Sequence, residues 1–267
     1  MTTAETAAPR SPAPPPVPAD VGIVAALPIE LAPFLGGLKG VRSYRGPKWR
    51  VIEGEIGGKL VAVILTGPGI KPARNGVDIL RAGHNPRWIL SAGFGGALDP
   101  ELAIGDIVLA NEVVDRAGSS LKIDVTLPEP NRAGDARSLR VRGPKLSSGR
   151  LVTVDSIVRT AIEKTELARR FGARIVDMET YAVASYCSER LVKFLSIRVV
   201  SDVADRDLPS EILAILGPSG GYRLGAAAAA IWRRPKSIGD LLALRSDAVK
   251  AAASLAGVLP AIIARLP

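Results

Sequence analysis

The apolar run "IRVV" at 197–200 ends abruptly on Ser201 and Asp202, with Asp205 and Asp207 close behind. Two other apolar runs also deliver acids. "RIV" at 174–176 leads into Asp177 and Glu179, and "VGIVAALP" at 21–28 leads into Glu30. A carboxylate at the mouth of a buried strand is expensive to desolvate unless it is paired or used. Such groups can give or take protons, and the chain has few rivals for that work: one histidine, His84, and one cysteine, Cys187. No disulfide framework, Cys/His zinc site or haem attachment motif can be built from that pair, and no metal site is expected. His84 lies in "RAGHNPRW" among turn formers, a setting that predicts a solvated surface histidine rather than a base. Acid–base chemistry in this chain therefore rests on carboxylates.

Glycines accompany the acids. "TGPG" at 66–69 follows a strand pattern and precedes a helical one, so its backbone N–H groups could face an anion, although a plain strand-to-helix turn explains it equally well. Gly93, Gly95 and Gly96 in "SAGFGGALDP" admit either a flat ligand close to the backbone or tight packing of sheet on helix. Asp177 reads as a helix N-cap, which leaves Met178 and Glu179 without a structural reason.

These residues need elements that bring them together. Runs at 21–28, 59–67, 87–96, 106–114, 150–158 and 191–202 are apolar without polar alternation, as expected of strands covered on both faces. Helical patterns lie between them. Residues 71–83 place Ala73, Val77 and Leu80 on one face, and 160–171 end in basic residues before Gly172. Strands alternating with helices predict an α/β sandwich with a largely buried sheet, in which ligands gather at the C-terminal strand ends. From Tyr222 onward the chain is rich in helix formers and predicts two or three helices. Pro260 breaks its last apolar segment, and no segment is long enough to span a bilayer. Residues 1–20 read as a flexible Pro/Ala-rich tail without a secretory pattern, ahead of a single domain at 21–267, and a cytoplasmic protein follows.

The net charge of +9 invites a nucleic-acid reading. The charges are scattered, however, and the densest group (Arg132, Arg137, Arg140, Arg142, Lys145 and Arg150) lacks aromatics for base stacking. A solvated loop is the simpler reading, and no nucleic-acid partner is expected.

In their order and spacing, "VGIVAALPIE", "SAGFGGALDPELAIGDIV", "VDMET" with the Ala-rich helix after it, and "IRVVSDVAD" resemble the purine nucleoside phosphorylase and methylthioadenosine/S-adenosylhomocysteine nucleosidase superfamily. The pair "DME" and "SDVAD" makes the resemblance specific. It implies a three-layer α/β/α sandwich around a central, largely buried mixed sheet, with a helical extension at 222–267. "DLPSEIL" and "WRRPKSIGDLLAL" look locally most like the hopanoid-associated phosphorylase branch.

The resemblance also implies roles. Asp202 would supply a proton to N7 of a purine as its N-glycosidic bond breaks, a task suited to a desolvated acid with a raised pKa. Glu30 matches the glutamate that activates water in the nucleosidases. Glu179 would hold the ribose hydroxyls, with Met178 beneath the sugar. Phe94, Gly95, Gly96, Ile157, Val158 and Ser201 would surround the substrate, although core packing explains Ile157 and Val158 as readily. Phosphorylases of the family carry Arg and Ser where this chain has Ser91 and Phe94. A phosphate cradle would then rest on Ser91 and the backbone at Gly67 and Gly69, with Lys71 or Arg74 nearby.

The implied activity is cleavage of a 5′-modified adenosine-type nucleoside. The reading leans towards phosphorolysis, with inorganic phosphate as co-substrate and no other cofactor. The hopanoid branch would make the substrate an adenosyl-hopane, which suits a basic surface in peripheral contact with a membrane. Hydrolysis, as in the methylthioadenosine/S-adenosylhomocysteine nucleosidases, is the alternative. A non-catalytic nucleoside-binding protein is the alternative of another class. A homo-oligomer is implied by the resemblance alone.

Overall fold

A computed structural model describes residues 18–46, 49–124, 144–209 and 237–267, the last segment with side chains from 243. The first apolar run is β1 (Val21–Ala25), buried throughout. It leads into α1 (Pro28–Leu35), which opens on proline, where a missing N–H costs the helix nothing. An antiparallel meander follows: β2 (Lys39–Arg45), β3 (Arg50–Ile56) and β4 (Lys59–Leu65). Helix α2 (Ile70–His84) buries Ala73, Val77 and Leu80 as its periodicity predicts, and closes on Asn85 in the left-handed region. Then come β5 (Trp88–Ala97), β6 (Ile107–Val114), β7 (Ser120–Lys122), β8 (Leu146–Thr153), α3 (Ala161–Phe171), β9 (Ile175–Asp177), α4 (Thr180–Glu189), β10 (Lys193–Asp202) and α5 (Ser237–Arg265).

One ten-stranded mixed sheet joins them. Strands β4, β1, β5 and β10 are parallel neighbours at its centre. From β5 the sheet continues through β10, β6, β8 and β9, and β9 returns to pair with β5, so this half curls into a closed ring. Leu31 and Phe34 of α1 and Leu255, Val258 and Leu259 of α5 pack in one core; Val77 and Leu80 of α2 pack with Val183 and Tyr186 of α4 in another. Helices thus cover both faces of the sheet, and the central strands carry apolar side chains on each side. The α/β/α layering predicted from the sequence is present.

Several expectations change. Strands β2 and β3 went unpredicted: "KGVRSYR" is polar and exposed, a meander edge rather than a buried run, and in "RVIEGEI" two glutamates and a glycine interrupt the apolar residues although residues 51–54 are buried. His84 is buried, not solvated: its Nε2 lies 3.0 Å from Glu53 Oε2 on β3, and its ring meets the edge of Tyr44 on β2. Both partners belong to the overlooked strands. Pro260 does not break α5, whose packing on α1 and β10 carries the helix through it. By length and composition alone Ala243–Arg265 could cross a membrane, but Ala251, Leu255, Leu259, Ile262 and Ile263 are buried in the protein's own core. The flexible tail begins outside the described residues, as do Arg132 to Arg142 and the 222–236 part of the helical extension. Order reaches back at least to Ala19, whose N–H meets the His84 carbonyl at 2.8 Å.

If α5 is core, Leu259→Ala should cost about 2–5 kcal/mol in urea unfolding. Val249→Ala, at a site 55% exposed, should stay within about 0.5 kcal/mol. Equally small effects would show that α5 contributes little to the fold.

Candidate active site

Three strand ends of the sheet bring the acids together. Where β1 gives way to α1, Glu30 folds back so that Oε2 accepts Ala26 N–H at 2.9 Å and Leu27 N–H at 2.7 Å. Oε1 accepts Phe94 N–H from β5 at 2.9 Å. Three backbone donors favour the carboxylate, but complete burial outweighs them and leaves the Glu30 pKa raised.

Asp202 is delivered by a β-bulge. Val200 pairs with Gly95 and Asp202 with Gly96, so Ser201 is the extra residue and Asp202 takes the place an unbroken strand would give to Ser201. Ser201 Oγ donates to Asp202 Oδ1 at 2.9 Å. The Lys164 ammonium, on α3, stands 2.7 Å from Oδ2. It is off the angle of a hydrogen bond, and Oδ2 has no hydrogen-bond partner among the described residues. The lone desolvated acid expected from the sequence is thus a charge-paired one.

The third group centres on Arg198, a guanidinium only 2% exposed in the middle of β10. Its Nε donates to Asp177 Oδ2 at 2.8 Å, its Nη2 to Ser91 Oγ at 2.8 Å, and Nη2 lies 3.9 Å from Glu179 Oε2. Burial works against its charge, yet the surrounding Asp177, Glu179 and Glu30 prevail and raise its pKa. Asp177 also accepts the Thr180 N–H at the start of α4 and the Thr153 hydroxyl; the N-cap position itself falls to Glu179, so Asp177 supports the helix start from two residues upstream and doubles as the partner of Arg198. Glu179 Oε1 accepts Gly69 N–H at 2.8 Å. Burial, followed by repulsion from Asp177, pushes the Glu179 pKa up to about 7.

Glycine leaves room where these side chains cross β5. A Cβ at Gly93 would stand 2.7 Å from Glu30 Oε1 and 3.2 Å from Arg198 Nη1. One at Gly96 would stand 3.1 Å from Asp202 Oδ2.

Glu30, Phe94, Gly95, Gly96, Ile157, Val158, Met178, Glu179, Ser201 and Asp202 all line one cleft, with Leu27, Pro68, Asp177 and Leu208 among its other walls. The three candidates for a phosphate cradle are not among them, and each is engaged elsewhere. Gly67 N–H meets the Ala26 carbonyl at 3.0 Å, Gly69 N–H meets Glu179, and Ser91 is fully buried behind Arg198. Arg74 pairs with Glu189 at 2.7 Å. Asp205 is exposed, whereas Asp207 accepts Ala161 N–H at 2.8 Å and so adds to the Thr160 cap at the start of α3.

Sequence reasoning missed Arg198 and Lys164, although each left a signal. Arg198 interrupts an otherwise apolar strand, and Lys164 sits on the inner stripe of α3 with Leu167, Ala168 and Phe171. A charge on a buried face requires a partner.

With this geometry in place, residues 20–216 match the family model described as Phosphorylase superfamily, and the chain belongs to that superfamily. Among curated relatives, the 5′-methylthioadenosine/S-adenosylhomocysteine nucleosidase of Baumannia cicadellinicola is 26% identical over 199 residues, covering 69% of this chain and 86% of the relative. That of Staphylococcus haemolyticus is 25% identical over 198 residues, covering 69% and 87%. The structure of the Neisseria meningitidis nucleosidase of that name, in complex with methylthio-immucillin-A, aligns with a TM-score of 0.67 at 21% identity over 92% of this chain and 99% of that one. The futalosine hydrolase of Helicobacter pylori aligns with a TM-score of 0.63 at 18% identity over 92% and 97%.

The raised Glu179 pKa has a measurable sign. A carboxyl shifted upward on folding stabilises the native state below its unfolded value, here 4.5, and that contribution is lost as pH rises through about 7. Glu179→Gln keeps an acceptor for Gly69 but cannot ionise. Its Tm relative to wild type should therefore climb between pH 4.5 and pH 8, and a difference that stays flat would contradict the assignment.

Proposed function

We propose that this protein hydrolyses the N-glycosidic bond of a 5′-modified adenosine-type nucleoside, with water as the nucleophile. The observation that carries this reading is Glu30: a buried carboxylate on the cleft wall, held by three backbone N–H groups within the field of Arg198. Such a group is placed to take a proton from attacking water. Phosphorolysis, the reading towards which the sequence leaned, would need donors for a phosphate anion. The expected ones are spent on internal hydrogen bonds, and Glu30 and Glu179 would repel the anion. The nucleosidase names of the curated relatives support the same choice.

The chemistry follows from the positions. As the bond from C1′ to N9 lengthens, its electron pair moves into the purine and N7 takes a proton from Asp202. Positive charge grows on the sugar, where Glu179 and Glu30 favour it. Glu179 accepts a hydrogen bond from a ribose hydroxyl, Met178 lies under the sugar, and water adds to C1′ as Glu30 removes its proton. The products are the free base and a 5-substituted ribose. Leu27, Pro68, Met178 and Leu208 give the cleft an apolar side that suits an uncharged 5′ group; among the described residues nothing there selects a polycyclic lipid in particular.

Incubation with 5′-methylthioadenosine in phosphate-free buffer should release adenine and 5-methylthioribose, at a rate that added phosphate leaves unchanged. A sugar 1-phosphate product, or release only with phosphate, would restore the phosphorylase reading. Binding without any release would favour the non-catalytic one. Asp202→Asn and Glu30→Gln should each lower kcat by about 10²–10⁴-fold in this assay.

A further inference from the structure

Lys164 is fully buried on a helix that otherwise faces solvent along most of its length. Its Nζ donates to the Val203 carbonyl at 2.6 Å and to the Arg206 carbonyl at 3.1 Å, and lies 2.7 Å from Asp202 Oδ2. All three oxygens belong to the end of β10 and the turn after it. Two more links tie that turn to the start of α3. Leu208 N–H meets the Arg159 carbonyl at 2.8 Å, and Asp207 accepts Ala161 N–H at 2.8 Å. The backbone of the turn could therefore be held without an ammonium, by donors that carry no charge. What the ammonium adds is a positive charge beside one particular oxygen. It makes no hydrogen bond to Oδ2, which is buried and has no hydrogen-bond partner among the described residues, while the Asp202 carboxyl lines the cleft.

We propose that Lys164 is a positioning residue for Asp202: it sets the place of the carboxyl, and its charge balances the carboxylate that remains when Asp202 gives its proton to the purine. The inference rests on the nucleosidase reading. In the step itself the bond from C1′ to N9 breaks, its electron pair passes to the purine, and N7 gains the proton that leaves Asp202. The proton lost by the attacking water goes to Glu30. Lys164 gains and loses none. Its positive charge opposes the return of the proton, and so favours departure of the base.

The test uses Lys164→Gln and Lys164→Met with two uncleaved or slowly cleaved nucleosides, alongside kinetics on 5′-methylthioadenosine. 9-Deazaadenosine presents an N7–H to Asp202; 7-deazaadenosine has a C–H in that place. Both variants should lower kcat roughly 10–100-fold with KM nearly unchanged. They should weaken 9-deazaadenosine binding by about tenfold or more, the loss expected for a charge-assisted hydrogen bond, and leave 7-deazaadenosine unaffected. Thermal melts report whether each variant is folded, and Lys164→Gln, which keeps a donor for the turn carbonyls, carries the test if Lys164→Met is not. Equal losses for the two nucleosides, or wild-type behaviour of the Gln variant, would overturn the proposal and leave Lys164 a structural clamp. If the wild-type protein binds neither nucleoside and releases no adenine, the nucleosidase reading is what fails.

Discussion

A guanidinium shut away from water stands among three carboxylates, and the arrangement of the cleft depends on it. Arg198 reaches across from β10 to Asp177 at the end of β9 and to Ser91 on β5, and its charge is felt by Glu30 and Glu179. Buried ion clusters of this kind are poor sources of net stability, because the cost of desolvation consumes most of the attraction. Their value lies in fixing which groups meet. Both carboxyls are shifted upward, Glu30 by its burial and Glu179 by burial and then by repulsion from Asp177, with Arg198 offsetting part of each shift. Under the proposed function, a ribosyl centre losing its base brings positive charge to this group of acids.

The sheet makes this meeting possible. Parallel strands β1 and β10 flank β5 and end on the same side, so Glu30 and Asp202 arrive from opposite neighbours of one strand. Strand β9, antiparallel to β5 at the closing edge of the ring, brings Asp177 and Glu179 in from a third direction. Strand β5 lies between them all, and its glycines at 93 and 96 leave room for the side chains that cross it. The bulge at Ser201 completes the set by moving Asp202 to the position its neighbour would have held.

Most of this framework was legible in the residues. Apolar runs without alternation marked the buried strands, and the acids at their ends marked the cleft, because few other placements of a carboxylate are so costly. The meander strands β2 and β3 escaped notice because β2 is an exposed, basic edge and glutamates break up the apolar pattern of the buried β3. His84 was misplaced for the same reason, since Glu53 and Tyr44, which make its burial tolerable, lie on those two strands. Arg198 and Lys164 escaped notice because each lies inside an element, and their partners, Asp177 and Asp202, come from other parts of the chain. At the phosphate cradle drawn from "TGPG" and Ser91, the donors are engaged in pairings between distant segments, such as Gly69 with Glu179, which no local pattern reveals.

Under the proposed function the cleft works by electrostatics: carboxylates gather around a sugar that becomes positive as its base departs. The most direct test is calorimetric binding of an adenosine analogue whose sugar ring is a protonated pyrrolidine, compared with the neutral nucleoside of the same base. If the cleft is built for a cationic transition state, the charged analogue should bind at least about 10²-fold more tightly. Equal affinity for the two would contradict the central claim.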